Sequence, residues 1–287
     1  MGVVAFFLLM ITQVKAFTTI RETVKTVDSI AIEILINIPD GDGQFPVLFF
    51  VHGGGWDHGT RFKTPGATNI ACANALCDNL GIVFIGIDYR CKNQNGNFDK
   101  AYQDVMDVYA YALKNAQRFK CNFQKVGFAG ASAGTPLSAI AAQNIAACKL
   151  YIGIYGKYDF VNQNLGGYWP NKETLEKFQI VQFEQQKRAS AIAQIRVMPP
   201  ATLLIHGKAD ATIGHKQSEA FAEAIKTNKG YAKVLLLANV PHGFYKVGNS
   251  QAYKTATLEI MEHLIHFFEI DNPKRELVLA ALNNGAI

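Results

Sequence analysis

The chain has 287 residues, of which 49% are hydrophobic and 18% charged, with a formal net charge of +5. That length and apolar content can bury one large core, which excludes an intrinsically disordered chain and makes a single domain the expectation. The charge excess is mild and no basic run carries interleaved aromatics, so no nucleic-acid partner is expected.

In chain order, residues 1–16 come first: an apolar run over 3–11 is followed by Val14, Lys15 and Ala16, with small residues at minus three and minus one of a cleavage point. This reads as a secretory signal peptide, leaving 17–287 as one domain destined for secretion or the endolysosomal lumen. The run is far short of the ~20 residues that cross a bilayer, so no stable membrane span is expected, with retention as an anchor the alternative. Cys72, Cys77, Cys91, Cys121 and Cys148 remain, enough for two disulfides and a free thiol in an oxidising compartment. No CxxC pair points to zinc or redox chemistry, and no N-glycosylation sequon is present.

Short apolar runs at 30–36, 46–51, 82–87, 126–129, 150–154, 202–205 and 234–237 predict buried strands. Helical patterns fall between or after them at 68–79, 100–119, 133–147, 216–226 and 253–268. Alternation of this kind predicts an α/β fold with a mostly parallel central sheet and helices on both faces. Two strand-like runs within 18–37 precede any helix and predict an antiparallel hairpin at one sheet edge. The segment 158–198 breaks the rhythm. Its Gly/Asn/Trp-rich stretch at 162–171 and Gln-rich helical pattern at 173–188 predict a small cap insertion, against the plainer alternative of a crossover helix with a surface loop.

The chemistry-bearing motif is Gly130-Ala131-Ser132-Ala133-Gly134, after a strand and before an Ala-rich helix. That context suits a nucleophile held on a strained turn, with glycines letting strand and helix pack closely. His52-Gly53-Gly54-Gly55-Trp56 follows another buried strand. The amides of Gly54 and Gly55, with that of Ala133, are candidate donors to an oxyanion; a phosphate loop fits poorly because neither GxGxxG nor Gly-Lys-Ser/Thr is present. Serine alone is a weak nucleophile and needs an imidazole to take its proton and a carboxylate to hold that imidazole. Asp210, at the end of a late strand, and His242, after the last one, complete the order Ser, Asp, His. His215 is the rival base and Asp159 the rival acid, while His206, His263 and His266 read as structural. Asp88-Tyr89-Arg90 reads as a buried hydrogen-bonded corner, and Asp104 and Asp107 as surface or structural carboxylates. Trp56, Tyr168 and Trp169 are candidates for lining a substrate pocket, with packing an equal alternative.

These motifs resemble the α/β-hydrolase superfamily over roughly 24–268, and within it the HGGGW-bearing esterase and lipase branch that holds hormone-sensitive-lipase-like and carboxylesterase-like enzymes. His206-Gly207-Lys208-Ala209-Asp210 followed by Gln217-Ser218-Glu219-Ala220-Phe221 is similar to the feruloyl and acetyl xylan esterase group. The resemblance implies hydrolysis of carboxylic esters, small or carbohydrate-linked, through an acyl-enzyme on Ser132, without metal or organic cofactor. Amidase, formamidase-like or peptidase chemistry is the alternative, and a catalytically silent binding protein is another. Two positions depart from the usual pattern: Ala131 replaces a polar residue before the serine, and Thr135-Pro136 stands where many relatives carry a further glycine. Neither removes a reacting atom, and proline is tolerated in a first helical turn.

Overall fold

The computed structural model of the chain describes residues 17–60, 79–246, 250–271 and 273–284. Residues 1–16, expected to be a signal peptide, Cys72, Cys77 and all but the last residue of the helix expected over 68–79 lie outside the described residues.

Eight strands form one sheet in the order β1-β2-β4-β3-β5-β6-β7-β8. The first two, β1 (Thr18–Val27) and β2 (Ile30–Ile38), make the expected edge hairpin. Its two-residue turn has Asp28 and Ser29 at φ 51° and 62°, the left-handed pair that matches strand twist in a tight hairpin. β2 also runs antiparallel to β4 (Val83–Ile87). From there the sheet is parallel through β3 (Phe45–Val51), β5 (Cys121–Ala131), β6 (Cys148–Ile154), β7 (Ala201–Gly207) and β8 (Ala232–Leu237).

Alternate residues of a strand point to opposite faces, so a strand covered on both sides must be apolar throughout. β3 shows this: Val47, Phe49 and Val51 enter one core, while Leu48 enters the other with Phe50 packed against it. The first core lies under α1 (Phe98–Lys114), α2 (Thr135–Asn144) and α5 (Lys216–Thr227). The second lies under α6 (Gln251–Phe267) and α7 (Arg275–Asn283), a helix the sequence reading did not anticipate. α2 is buried along almost its whole length, its polar Thr135, Ser138 and Gln143 included, with Pro136 in its first turn. No helix among the described residues is long and apolar enough to cross a membrane.

Two expectations need correction. The helix expected over 173–188 is two short ones, α3 (Lys172–Lys177) and α4 (Phe183–Ala189), followed by a 3-10 turn at Ala191–Gln194. The break has a packing cause: Phe178 and Ile180 are both fully buried, and Gln179 between them adopts φ 56° so that the chain can turn inward. Two disulfides are also not formed, because Cys91, Cys121 and Cys148 are free and buried. Burial pushes each of these thiols up to about 12, so they behave as small apolar groups.

The corner at Asp88-Tyr89-Arg90 is structural on its basic side. The Arg90 guanidinium donates Nε and Nη2 to the two oxygens of buried Asp104, both at 2.8 Å, and Lys25 reaches the same carboxylate at 2.6 Å. Asp107 is half-buried and also pairs with Lys25.

Candidate active site

β5 ends at Ala131, and the chain turns sharply into a 3-10 turn at Ser132–Gly134 before α2 begins. Ser132 takes φ 51°, the strained conformation that lifts a side chain out of a strand-to-helix elbow. Only glycine fits at its flanks: a Cβ on Gly130 would lie 2.2 Å from Ser138 Oγ, and one on Gly134 would lie 2.3 Å from the Val51 carbonyl. The second contact ties the elbow to the end of β3, the neighbouring strand, which carries the glycine loop.

Ser132, His242 and Asp210 come together in a hydrogen-bonded line. Ser132 Oγ is 2.9 Å from His242 Nε2, and His242 Nδ1 is 2.6 Å from Asp210 Oδ2. Burial acts to raise the Asp210 carboxyl, but hydrogen bonds from His206 and His242 outweigh it and bring the group down to about 2. An ionised Asp210 can only accept, so His242 Nδ1 carries the proton and Nε2 is left with a lone pair facing the serine hydroxyl. The other carboxylate oxygen, Oδ1, accepts the Thr212 and Ile213 amides, each at 2.9 Å. The loop after β7 thus holds Oδ1, while His242 and His206 hold Oδ2.

The rival residues stand elsewhere. His215 pairs with Glu219 at 2.9 Å on the surface end of α5, and Asp159 caps its own turn by accepting the amides of Val161 and Asn162. His206 supports the loop: its ring contacts Ser218 Oγ at 2.8 Å, the Ile213 carbonyl at 2.9 Å and Asp210 Oδ2 at 3.2 Å. His263 is a buried residue of α6, with Nε2 donating to the Ala201 carbonyl at 3.2 Å.

A pocket of about 340 Å³ opens over Ser132 and His242, walled by the glycine loop, Tyr155 and Trp169. Gly54 and Gly55 line it, at φ 117° and 65°, and their amides have no acceptor among the described residues. Ala133 is fully buried and its side chain does not line the pocket; its amide lies in the first turn of the 3-10 segment, where N–H groups have no helical partner. His52 braces the glycine loop from below, stacked on Tyr89 with centroids 4.3 Å apart and Nδ1 donating to the Gly53 carbonyl at 2.7 Å. Its burial lowers the ring to about 4, so it is neutral at ordinary pH.

Of the three aromatic candidates, Trp169 lines this pocket and the other two do not. Trp56 is a correction: it is fully buried, stacked on Phe178 at 4.3 Å and edge-on beneath Trp169 at 4.8 Å, so it supports the wall without forming it. Tyr168 is exposed and lines a smaller cavity behind Trp169, with its hydroxyl accepting from Thr212 Oγ1 at 3.3 Å. Residues the sequence reading did not flag also line the pocket: Tyr155, edge-on to His242 at 4.8 Å, and the polar rim of Asp57, His58, Lys92, Thr174 and Thr212. They come from loops, a 3-10 turn and α3, whose convergence no local pattern signals. The wall is laced to the acid loop, with the Trp169 amide donating to the Thr212 carbonyl at 3.0 Å and the Gly214 amide to the Gly166 carbonyl at 3.2 Å. Among the described residues no group of His, Cys, Asp and Glu is arranged to hold a metal ion.

The chain is similar to esterases in both sequence and fold. It is 27% identical over 240 residues to Esterase LipC of Mycobacterium tuberculosis (strain ATCC 25618 / H37Rv), covering 74% of this chain and 56% of that protein. It is 30% identical over 146 residues to the acetyl esterase of Salmonella schwarzengrund (strain CVM19633), covering 46% and 43% respectively. The chain thus spans about half the length of the curated relatives it matches. Esterase 2 of Thermogutta terrifontis, solved with propionate bound, superposes with a TM-score of 0.75 at 22% identity over 89% of this chain and 96% of that one, a likeness of fold. The BD-FAE family model matches residues 35–225, more than half of the sequence, and the chain belongs to this α/β-hydrolase esterase family.

Proposed function

We propose that the protein is a serine carboxylic-ester hydrolase with Ser132 as nucleophile, His242 as general base and Asp210 as the orienting acid. The observation that carries this reading is the line of two hydrogen bonds, 2.9 Å and 2.6 Å, from Ser132 through His242 to Asp210 at the floor of a pocket bordered by Gly54 and Gly55.

Ser132 Oγ attacks the ester carbonyl as His242 Nε2 takes its proton, and the imidazolium formed is stabilised by the Asp210 carboxylate. The carbonyl oxygen gains a negative charge, for which the amides of Gly54, Gly55 and Ala133 are the assigned donors. Collapse of the tetrahedral species breaks the ester C–O bond, and the His242 proton goes to the departing alkoxide to release the alcohol. Water then enters, loses a proton to His242 and attacks the acyl-enzyme, and the same proton returns to Ser132 Oγ as the acid leaves. Small or carbohydrate-linked esters suit a pocket of this size. We assign the segment 158–198 the role of a cap, because it supplies Trp169 and Thr174 to the pocket wall. Residues 1–16 are assigned as a cleaved leader directing the chain to secretion or an endolysosomal lumen, which N-terminal sequencing of the mature protein checks.

Labelling with a fluorophosphonate, together with hydrolysis of p-nitrophenyl acetate and the matching anilide, tests the reading. Wild type is expected to label and to cleave the ester faster, and Ser132→Ala to do neither. A folded wild type that stays unlabelled would favour a binding protein, and faster anilide cleavage would favour an amidase.

A further inference from the structure

Behind Trp169 lies a second cavity, of about 120 Å³, that the chemistry above does not use. Trp169 lines both, so this cavity and the pocket over Ser132 adjoin at that residue. The Gly166-Gly167 backbone, Gln163 and Tyr168 form its walls, and Lys157 lies among its lining residues.

Lys157 is an unusual residue to find there. It is only 7% exposed, yet its ammonium has no ion pair or hydrogen bond among the described residues; its nearest favourable contact is the Phe160 ring, 5.2 Å from Nζ to centroid. Burying an ammonium without a partner is costly, and a face-on aromatic ring compensates only in part. Asp159 is the nearby carboxylate, but one of its oxygens is already committed to the amides of Val161 and Asn162. Desolvation accordingly draws the Lys157 ammonium down to about 8, which leaves it mostly charged at neutral pH. The position is also fixed, because the Lys157 amide donates to Thr135 Oγ1 at 3.1 Å and that hydroxyl donates to the Ser132 carbonyl at 2.6 Å. The charge is thus registered to the nucleophile's own turn.

We propose that this cavity is an anion subsite that receives a carboxylate carried by the substrate, with the Lys157 ammonium as its counter-charge. The preferred substrates are then esters bearing a free carboxylate a few atoms from the scissile bond, such as half-esters of dicarboxylic acids. The volume, a few water molecules' worth, suits a carboxylate and excludes a bulky group. The turnover consequence rests on Ser132 being the nucleophile; the binding consequence does not.

The test therefore has two arms. In the first, mono(p-nitrophenyl) glutarate is compared with its neutral methyl ester. Wild type should show a KM for the anionic ester lower by about tenfold or more, Lys157→Met should erase that ratio, and Lys157→Arg should keep most of it. A wild-type ratio near one, or a ratio untouched in Lys157→Met, overturns the proposal. In the second arm glutarate itself is titrated while tryptophan emission is followed, which is informative because the chain has two tryptophans and Trp169 walls the cavity. A saturable change is expected in wild type and in Ser132→Ala but not in Lys157→Met. Its absence in wild type overturns the subsite whatever happens to ester cleavage, whereas a saturable change in a protein that cleaves neither ester retains the subsite and removes the hydrolase reading.

Discussion

Replacing Asp210 by asparagine is the sharpest perturbation of the proposed mechanism, because the structure dictates how the new side chain must sit. Oδ1 accepts two backbone amides, from Thr212 and Ile213, both at 2.9 Å, so the asparagine oxygen is held at that position. The amide nitrogen then takes the place of Oδ2, 2.6 Å from His242 Nδ1 and 3.2 Å from His206 Nε2. An NH2 group can only donate, so His242 must present a bare Nδ1 to it and carry its proton on Nε2, toward Ser132. In that tautomer the imidazole cannot take the hydroxyl proton. The expected fall in kcat is about 10⁴-fold, the loss that the same change causes in another Ser-His-Asp hydrolase, or roughly 5 kcal/mol of transition-state stabilisation. The assay is steady-state hydrolysis of p-nitrophenyl acetate, with circular dichroism and thermal melting to show that the variant is folded. A folded Asp210→Asn within tenfold of wild type would refute the assigned tautomer and with it the role of Asp210.

Other expectations follow from packing and charge. Gly134→Ala places a Cβ against the Val51 and His52 carbonyls, at 2.3 and 2.4 Å, and backbone oxygens at the end of a central strand cannot retreat. It should cost about 3 kcal/mol or more and lower the melting temperature by about 6–12 °C, and an unchanged melt would show that the elbow is not close-packed. Burial lowers the His263 ring to about 4 from its ordinary 6.5, so the unfolded chain binds this proton first as pH falls. The stability it contributes is complete above about pH 6.5 and is lost as pH drops toward 4, up to about 3 kcal/mol, and His263→Gln should flatten urea midpoints over that window. Asp210, depressed to about 2 from 3.8, adds a second loss, present above about pH 4 and gone as pH falls through 2. Finally, Cys91, Cys121 and Cys148, with thiols pushed up to about 12, should resist alkylation in the folded protein and react after denaturation. Mass-spectrometric mapping that finds label on any of them before unfolding would contradict their burial.

The parts of this molecule legible in the sequence are those whose physics is local. Seven apolar runs correspond to strands because a strand buried on both faces has no room for polar alternation, as the fully buried Val83–Ile87 and Ala201–Gly207 show. Ser132, Asp210 and His242 were legible because each sits at a strand's carboxyl end beside glycines or a proline, and the sheet brings such ends together. The start of β5 was missed because Asn122 and Gln124 are polar, and Cys121 and Asn122 pair with β3 ahead of an irregularity that precedes Val126. The break between α3 and α4 was missed for a different reason: Glu173 to Arg188 is polar and Gln-rich, and it is interrupted by burial of Phe178, stacked on Trp56, and of Ile180. Trp56 itself looked like a pocket residue because a tryptophan beside a glycine loop has no local mark of which side it faces. Lys157 gave no signal at all, since burial of a charge is a property of the fold.

The two backbone hydrogen bonds that join Trp169 to Thr212 and Gly166 to Gly214 make the substrate wall and the Asp210 loop one mechanical body. A substitution that shifts the wall is therefore felt at the carboxylate that holds the His242 imidazole, 2.6 Å from Nδ1.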